Sequence, residues 1–169
     1  MPTAMNELSF YTLAGQPQSP AELIPEVAHA ERLGIGSCFI SERFNIKEAA
    51  TLSGAVGALT KTLGIATAAT NHNTRHPMVT AAYAMTMHRL TGGRFSLGLG
   101  RGIAPMFKAY GLPSITTAQL EDFAGLMRRL WRGEAVVGPD GPCGKSPMLV
   151  LGPDYTGTIP VSFTAFGPN

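Results

Sequence analysis

Charge is what this 169-residue sequence has least of. Asp, Glu, Lys and Arg make up 14% of it, against the roughly 25% usual for soluble domains. Such a chain either places much of its surface inside a larger assembly or has low solubility alone. The net charge of +2 leaves no electrostatic footprint for nucleic acid. The one basic concentration, Arg128, Arg129 and Arg132, falls in the last turns of an expected helix, where it complements the macrodipole. Long apolar runs are missing as well: no stretch approaches the roughly 18 consecutive residues that mark a membrane span. The chain does not open on a basic segment followed by an apolar one, which argues against a secretory signal. Cysteine is scarce. Cys38 and Cys143 stand far apart, make no metal-ligand spacing, and read as reduced thiols of a cytoplasmic protein. These absences predict a small-molecule substrate, no nucleic acid and no membrane.

What is present is an alternation of short apolar strands with longer helical stretches. Leu8 to Ala14 reads as a strand closed by Gly15. Ser19-Pro20-Ala21-Glu22 then supplies an N-cap serine, a proline in the first turn and a capping-box glutamate. Leu23, Ile24, Val27, Ala28 and Leu33 follow a period near 3.6 up to Gly34. The unit recurs. Ser37 to Ser41 is a buried-type strand, and Asn45 with Glu48 predicts a second helix through about Lys61. Gly64 to Thr70 is the third strand. A third helix runs from Pro77 to Leu90 and stops at Thr91-Gly92-Gly93. Phe95 to Leu99 is the fourth strand. An irregular stretch with Pro105, Gly111 and Pro113 follows. Thr116 and Gln119 start a fourth helix, whose face carries Leu120, Phe123, Leu126, Met127, Leu130 and Trp131.

Strand starts recur at roughly 28 residues, which suits parallel strands joined by right-handed helical crossovers. Residues 133–158 are dense in Gly and Pro, so long regular elements are not expected there, beyond a short strand at Met148 to Leu151. Ile159 to Phe166 reads as a fifth strand, and Gly167-Pro168-Asn169 as the loop that opens a next helix. The fold class is α/β: a partial (β/α)₈ TIM barrel of about five parallel strands and four helices. Closing such a barrel takes eight strands and roughly 250 residues. The expectation is therefore one domain over residues 1–169, a truncated N-terminal half of a barrel.

In parallel α/β folds the chemistry gathers at the C-terminal strand ends. Here those ends carry Thr12 to Gly15, Ser41 to Phe44, Thr70 to Pro77, and Gly98 to Gly102. Gly98-Leu99-Gly100-Arg101-Gly102 resembles part of a dinucleotide fingerprint. However, position 103 is Ile, the turn is the fourth, and the nearest acid, Glu121, lies inside a helix. Glycines there let backbone approach a flat ligand closely. His72 and His76 are four apart, but Pro77 puts them before the helix, with no acid between them, so no metal site is expected. Arg75 and His76 are candidates for binding polar groups of a ligand or for supporting the loop.

Ser41-Glu42-Arg43-Phe44, the run TAATNHNTRHP over 67–77, LTGGRFSLGLGRG over 90–102 and IPVSFTAFGP over 159–168 together resemble the luciferase-like monooxygenase superfamily. Within it the chain is similar to the deazaflavin (coenzyme F420)-dependent oxidoreductase branch, and it is expected to resemble the N-terminal half only of such a protein. The resemblance implies a non-prolyl cis peptide joining Ala68 to Ala69, a bulge that supports the cofactor ring. It implies cofactor contacts from Ala68, Ala69, Asn71, Gly100, Arg101 and Gly102, while Thr12, Arg75 and His76, at the polar strand ends, stand as the substrate-binding candidates. Glu42 and Arg43 stand as the catalytic candidates. Arg43 occupies a position where relatives often carry His; it is no general base, since its pKa exceeds about 12, but it suits an anionic ring or a substrate carboxylate. Glu42 accepts a cofactor hydrogen bond or pairs with Arg43 or Arg75. Ile103 replaces a glutamate found in the family's sugar-phosphate dehydrogenases, which argues against that substrate class.

The implied activity is hydride transfer between F420 and a small organic substrate. One alternative is an FMN-dependent monooxygenase, which incorporates oxygen. Another is a catalytically inactive half-barrel or binding subunit, because the phosphate site of such barrels commonly follows strands seven and eight. Five strands leave an open edge, so the expected partner is a second copy or a complementary chain that completes the barrel.

Overall fold

The computed structural model describes residues 5–165. Its chain order is β1 (Ser9–Tyr11), α1 (Leu23–Leu33), β2 (Ser37–Ile40), α2 (Ala49–Leu59), β3 (Gly64–Thr67), α3 (Pro77–Leu90), β4 (Phe95–Leu99), α4 (Ala104–Ala109) and α5 (Thr117–Trp131). Four short strands follow, β5 (Val136–Val137), β6 (Asp140–Gly141), β7 (Gly144–Lys145) and β8 (Met148–Leu149), and then β9 (Val161–Phe163). The first four strands and β9 form one five-stranded sheet in the order β1-β2-β3-β4-β9, with every neighbour pair parallel. This is the α/β arrangement of a partial (β/α)₈ barrel.

Local sequence explains most element ends. Ser19 accepts a hydrogen bond from the Ala21 N–H, while Glu22 reaches back to the Ser19 N–H at 3.1 Å, completing the expected capping box. Here the box opens a 3-10 turn that leads into α1. Thr116 and Gln119 make the same reciprocal cap on α5. Gly34 ends α1 in the left-handed conformation at φ +68°.

Four expectations change. The second helix starts at Ala49 rather than near Asn45. Arg43 and Lys47 exchange backbone hydrogen bonds of 3.1 and 2.8 Å, a closed loop that keeps Asn45 out of helical geometry. Glu48 is itself the N-cap, accepting from the Ala50 and Thr51 N–H groups. The stretch around Pro105 is not irregular: it holds α4, whose first turn accommodates the proline because that N–H needs no partner. Among the described residues, α4 thus joins the four helices read from the sequence. The extra strand expected at Met148 to Leu151 is only the two residues of β8, paired antiparallel with β5. The fifth parallel strand is trimmed to Val161–Phe163; Phe166 and the loop expected at Gly167 to Asn169 lie outside the described residues.

The core lies between the sheet and its helices. Cys38, Ile40, Ile65, Phe95, Leu97 and Leu99 meet Val27, Val56, Met85, Phe123 and Met127, all buried. Trp131 ends α5 inside this layer, its indole N–H donating to the Ala81 carbonyl at 3.2 Å. Tyr83 packs edge-on to Phe95 at 5.3 Å. On the other face, the register aligns Tyr11, Phe39, Ala66 and Ser96 in one row, and Tyr11 and Phe39 remain exposed.

Beyond the ladder of β3 and β4, one side chain keeps the strands in step. The Thr67 hydroxyl donates to the Gly98 carbonyl and accepts from the Gly98 N–H, both at 2.8 Å. A Cβ at Gly98 would meet the Thr67 carbonyl oxygen at 1.8 Å. Gly98→Ala is expected to lower stability by about 1–3 kcal/mol through overpacking, read from urea unfolding.

Candidate functional site

The C-terminal ends of β2, β3, β4 and β9 border a cavity of about 620 Å³, within the size range of small-molecule sites. Its floor is backbone-rich. The peptide joining Ala68 and Ala69 is cis, as the family resemblance implied. The two ends of this bulge are pinned: the Ala68 N–H donates to the Ile40 carbonyl at 2.8 Å, and the Ala69 carbonyl accepts from the Glu42 N–H at 3.1 Å. Gly100 continues the floor. A Cβ there would meet the Thr164 hydroxyl at 2.6 Å and the Ala69 methyl at 3.1 Å, so glycine keeps this corner open. Asn71, buried, donates from its amide to the Gly100 carbonyl at 2.8 Å and holds that strand end in place.

Eight of the candidate residues converge on this cavity: Glu42, Arg43, Ala68, Ala69, Asn71, Gly100, Arg101 and Gly102. The three expected to contact substrate do not line it. Thr12 is fully buried and its hydroxyl donates to the Glu26 carboxylate. His76 is exposed and caps α3, its Nδ1 accepting from the Met78 N–H at 3.3 Å. Arg75 lies behind the floor. Its guanidinium donates to the Thr70 hydroxyl and to Glu42 Oε2, each at 2.8 Å, and pairs with Glu48 as well.

Glu42 therefore lines the cavity without a free carboxylate. Its side chain is fully buried. One oxygen accepts from the Ala49 N–H at 3.0 Å, and the other accepts from Thr70 at 2.9 Å and from Arg75. Burial alone would raise the Glu48 carboxyl, but hydrogen bonds from Thr51 and Ala50 and the charge of Arg75 hold it below its ordinary value. Burial likewise lowers the His72 imidazole, against the opposing pull of Asp122, and its ring stacks on Phe123 at 5.3 Å.

Sequence reasoning missed several participants. Lys47, buried, donates to the carbonyls of Thr12 and Leu13 at 2.8 and 3.0 Å and sits over the Tyr11 ring at 4.5 Å. Leu13 takes a left-handed φ of +50°, and the Glu26 carboxylate accepts its N–H at 2.9 Å. One buried lysine thus ties the loop after β1 to the loop that carries Arg43, whose guanidinium in turn donates to the Gly15 carbonyl. Phe44, Phe107 and Tyr110 form an aromatic wall that lines the cavity. Pro105 at a first-turn position was the available signal for α4, which carries Phe107 and is capped by Tyr110. Lys47 left no signal, because nothing local marks a lysine for burial.

Among the described residues, no group of three or more His, Cys, Asp or Glu is gathered as a metal site. No helix among them is long and apolar enough to cross a membrane.

Removing the Glu42 carboxylate leaves the part-buried Arg75 with Glu48 as its remaining carboxylate partner. Glu42→Ala is expected to cost about 3 kcal/mol, the lower end for a broken buried pair, in equilibrium unfolding. Burial, aided by the charge of Arg43 and opposed by that of Glu26, pulls Lys47 from the ordinary 10.5 down to about 8. Between these values the unfolded chain binds the proton that the folded chain has released, so stability rises with pH across that window. Comparing unfolding free energies of the parent and Lys47→Met through the window should show this slope in the parent and its loss in the variant.

Residues 4–169 match the family described as luciferase-like monooxygenase. A 5,10-methylenetetrahydromethanopterin reductase of Methanolobus tindarius is 28% identical over 97 residues, 55% of this chain and 30% of that protein. The structure of a coenzyme F420-dependent tetrahydromethanopterin reductase from Methanopyrus kandleri is 21% identical, with a TM-score of 0.79 over 98% of this chain and 51% of the other. The FMN complex of a type II Baeyer–Villiger monooxygenase of Pseudomonas putida, the oxygenating constituent of 3,6-diketocamphane monooxygenase, is 21% identical, with a TM-score of 0.77 over 98% of this chain and 52% of the other. These matches correct the expectation that the resemblance covers an N-terminal half only: the likeness runs through nearly the whole chain, the Gly- and Pro-rich stretch and the last strand included. The chain spans about half the length of those two solved structures. With the family match extending over residues 4–169 and the fold in agreement, the chain belongs to the luciferase-like monooxygenase family.

Proposed function

We propose that this chain carries the ring-binding site of an oxidoreductase that holds coenzyme F420, or alternatively FMN, and moves hydride equivalents to or from a small organic substrate. The observation that carries this reading is the floor made by Ala68, Ala69 and Gly100, where two methyl groups and a missing Cβ leave a flat surface. Such a surface fits a planar ring system lying against backbone. When bound, the ring would supply the redox chemistry, and the protein would supply orientation and electrostatics.

The chain's own groups divide that work. Asn71 would hold the Gly100 end of the floor in place by bonding its carbonyl. Glu42, tied through Thr70 and Arg75, holds the bulge in position, which favours a positioning role over that of a free base. Arg43 and Arg101 are the cations of the cavity lining, opposite in charge to a reduced ring or a phosphate-bearing tail. The exposed Tyr11 and Phe39 on the sheet's other face, with Phe163 at its edge strand, support a working form in which a second copy or a complementary chain adds cover. The free thiols of Cys38 and Cys143 favour a cytoplasmic setting.

Equilibrium titration of the 169-residue chain with F420 and with FMN, in parallel, tests the reading. Binding of one or both is expected, and Ala69→Leu should weaken it by at least about tenfold by filling the floor. A folded sample that binds neither cofactor overturns the proposal.

A further inference from the structure

The cavity has a second wall with a different character from its floor. Phe44, Ile103, Met106, Phe107, Tyr110 and Ile115 line it. The Phe44 ring lies 6.2 Å from Phe107 at an interplanar angle of 31°, and 6.2 Å from Tyr110 at 69°. Phe107 is only 3% exposed and is seated against Gly102, where a Cβ would meet its ring at 2.3 Å. It forms a fixed backing. In front of it, Phe44 is 40%, Tyr110 48% and Ile103 62% exposed. Three large apolar side chains left open together in a concave site mark a surface that meets a ligand.

The wall's chemistry is narrow. Tyr110 is its one ionisable side chain, with a pendant hydroxyl. Of the charged groups nearby, Glu42 is paired with Arg75, and Arg43 and Arg101 line other parts of the cavity, Arg43 bonded to the Gly15 carbonyl and Arg101 shared with a neighbouring cavity of about 360 Å³. Rings held at tilted and edge-on angles offer both faces and edges to a further aromatic group.

Resting on the reading that the floor holds a flavin or deazaflavin ring, we propose that this wall is the substrate subsite and takes an uncharged aromatic compound. A charged sugar phosphate or carboxylate would find no counter-ion on it.

The test uses two probes of one shape, 2-acetonaphthone, which is uncharged, and 2-naphthoate, which is anionic. Their binding to the full chain is measured by ligand-detected NMR, with and without saturating FMN or F420. The ketone is expected to bind more tightly than the carboxylate. Phe44→Ala and Tyr110→Ala should each weaken it by about tenfold, the scale of one aromatic contact, with cofactor affinity unchanged. Phe44→Leu, which keeps the apolar bulk and loses the ring, should recover only part of the loss. Tighter binding of 2-naphthoate, or indifference of the ketone to both alanine substitutions, overturns the proposal. If neither cofactor binds but the ketone still depends on Phe44 and Tyr110, the cofactor reading fails and the aromatic subsite stands.

Discussion

At the end of β2, the carboxylate of Glu42 is withdrawn from solvent and accepts hydrogen bonds from three groups that belong to different parts of the chain. The Ala49 N–H comes from the start of α2, the Thr70 hydroxyl from the strand end after the bulge, and Arg75 from the loop before α3. A buried carboxylate without partners would be expensive, and one with a complete set is geometrically demanding. Satisfying it brings two βα loops and a helix start to one point. The cavity floor is the surface of that assembly, so its shape follows from the need to neutralise a charge placed behind it.

A second buried charge works on the neighbouring loops. Lys47 bonds two consecutive carbonyls after β1 while its own backbone closes the loop that begins at Arg43. Glu26, reaching from α1, bonds Thr12 and Leu13 from the opposite side. The left-handed Leu13 is thus held through both its N–H and its carbonyl. The polar strand ends that suggested substrate contacts at Thr12 and Arg75 are in fact consumed in holding loops, and His76 is consumed in capping a helix. Support and display are divided: ionisable groups lie mostly behind the site, whereas small and aromatic side chains face the space in front.

That division explains how one cavity presents two unlike surfaces. The floor is backbone, methyl groups and glycine, which suits a flat group approaching closely. The opposite wall is built by α4, a short helix inserted between β4 and α5, together with Phe44 from the loop after β2. Gly102, at φ +69°, turns the chain from strand into this insertion and leaves room for the Phe107 ring. The aromatic wall exists because the chain leaves the sheet at that point.

How much of this was legible depends on the range of the forces involved. The α/β class, the parallel order, the Ser19–Glu22 and Thr116–Gln119 caps, the span of α3 and the buried face of α5 all follow from local periodicity and capping chemistry, which act over a few residues. The strand ends that border the cavity were legible for the same reason, as was the glycine-rich approach at Gly98 to Gly102. Local signals start the second helix too early, because the Arg43–Lys47 loop competes with the Asn45 cap and is itself secured by contacts to Tyr11 and to the loop after β1. The short helix around Pro105 lies in a stretch whose breakers read as irregular, although its proline carries the signal. By itself, then, the amino-acid sequence determined which segments become strands and helices and which strand ends carry polar and small residues. Only the tertiary structure decided that Glu42 and Lys47 are buried and paired, that Thr12, Arg75 and His76 turn away from the cavity, and that three separate aromatic residues share one wall. Pairing a buried charge and stacking distant rings depend on groups tens of residues apart, and no local pattern encodes which of them will meet.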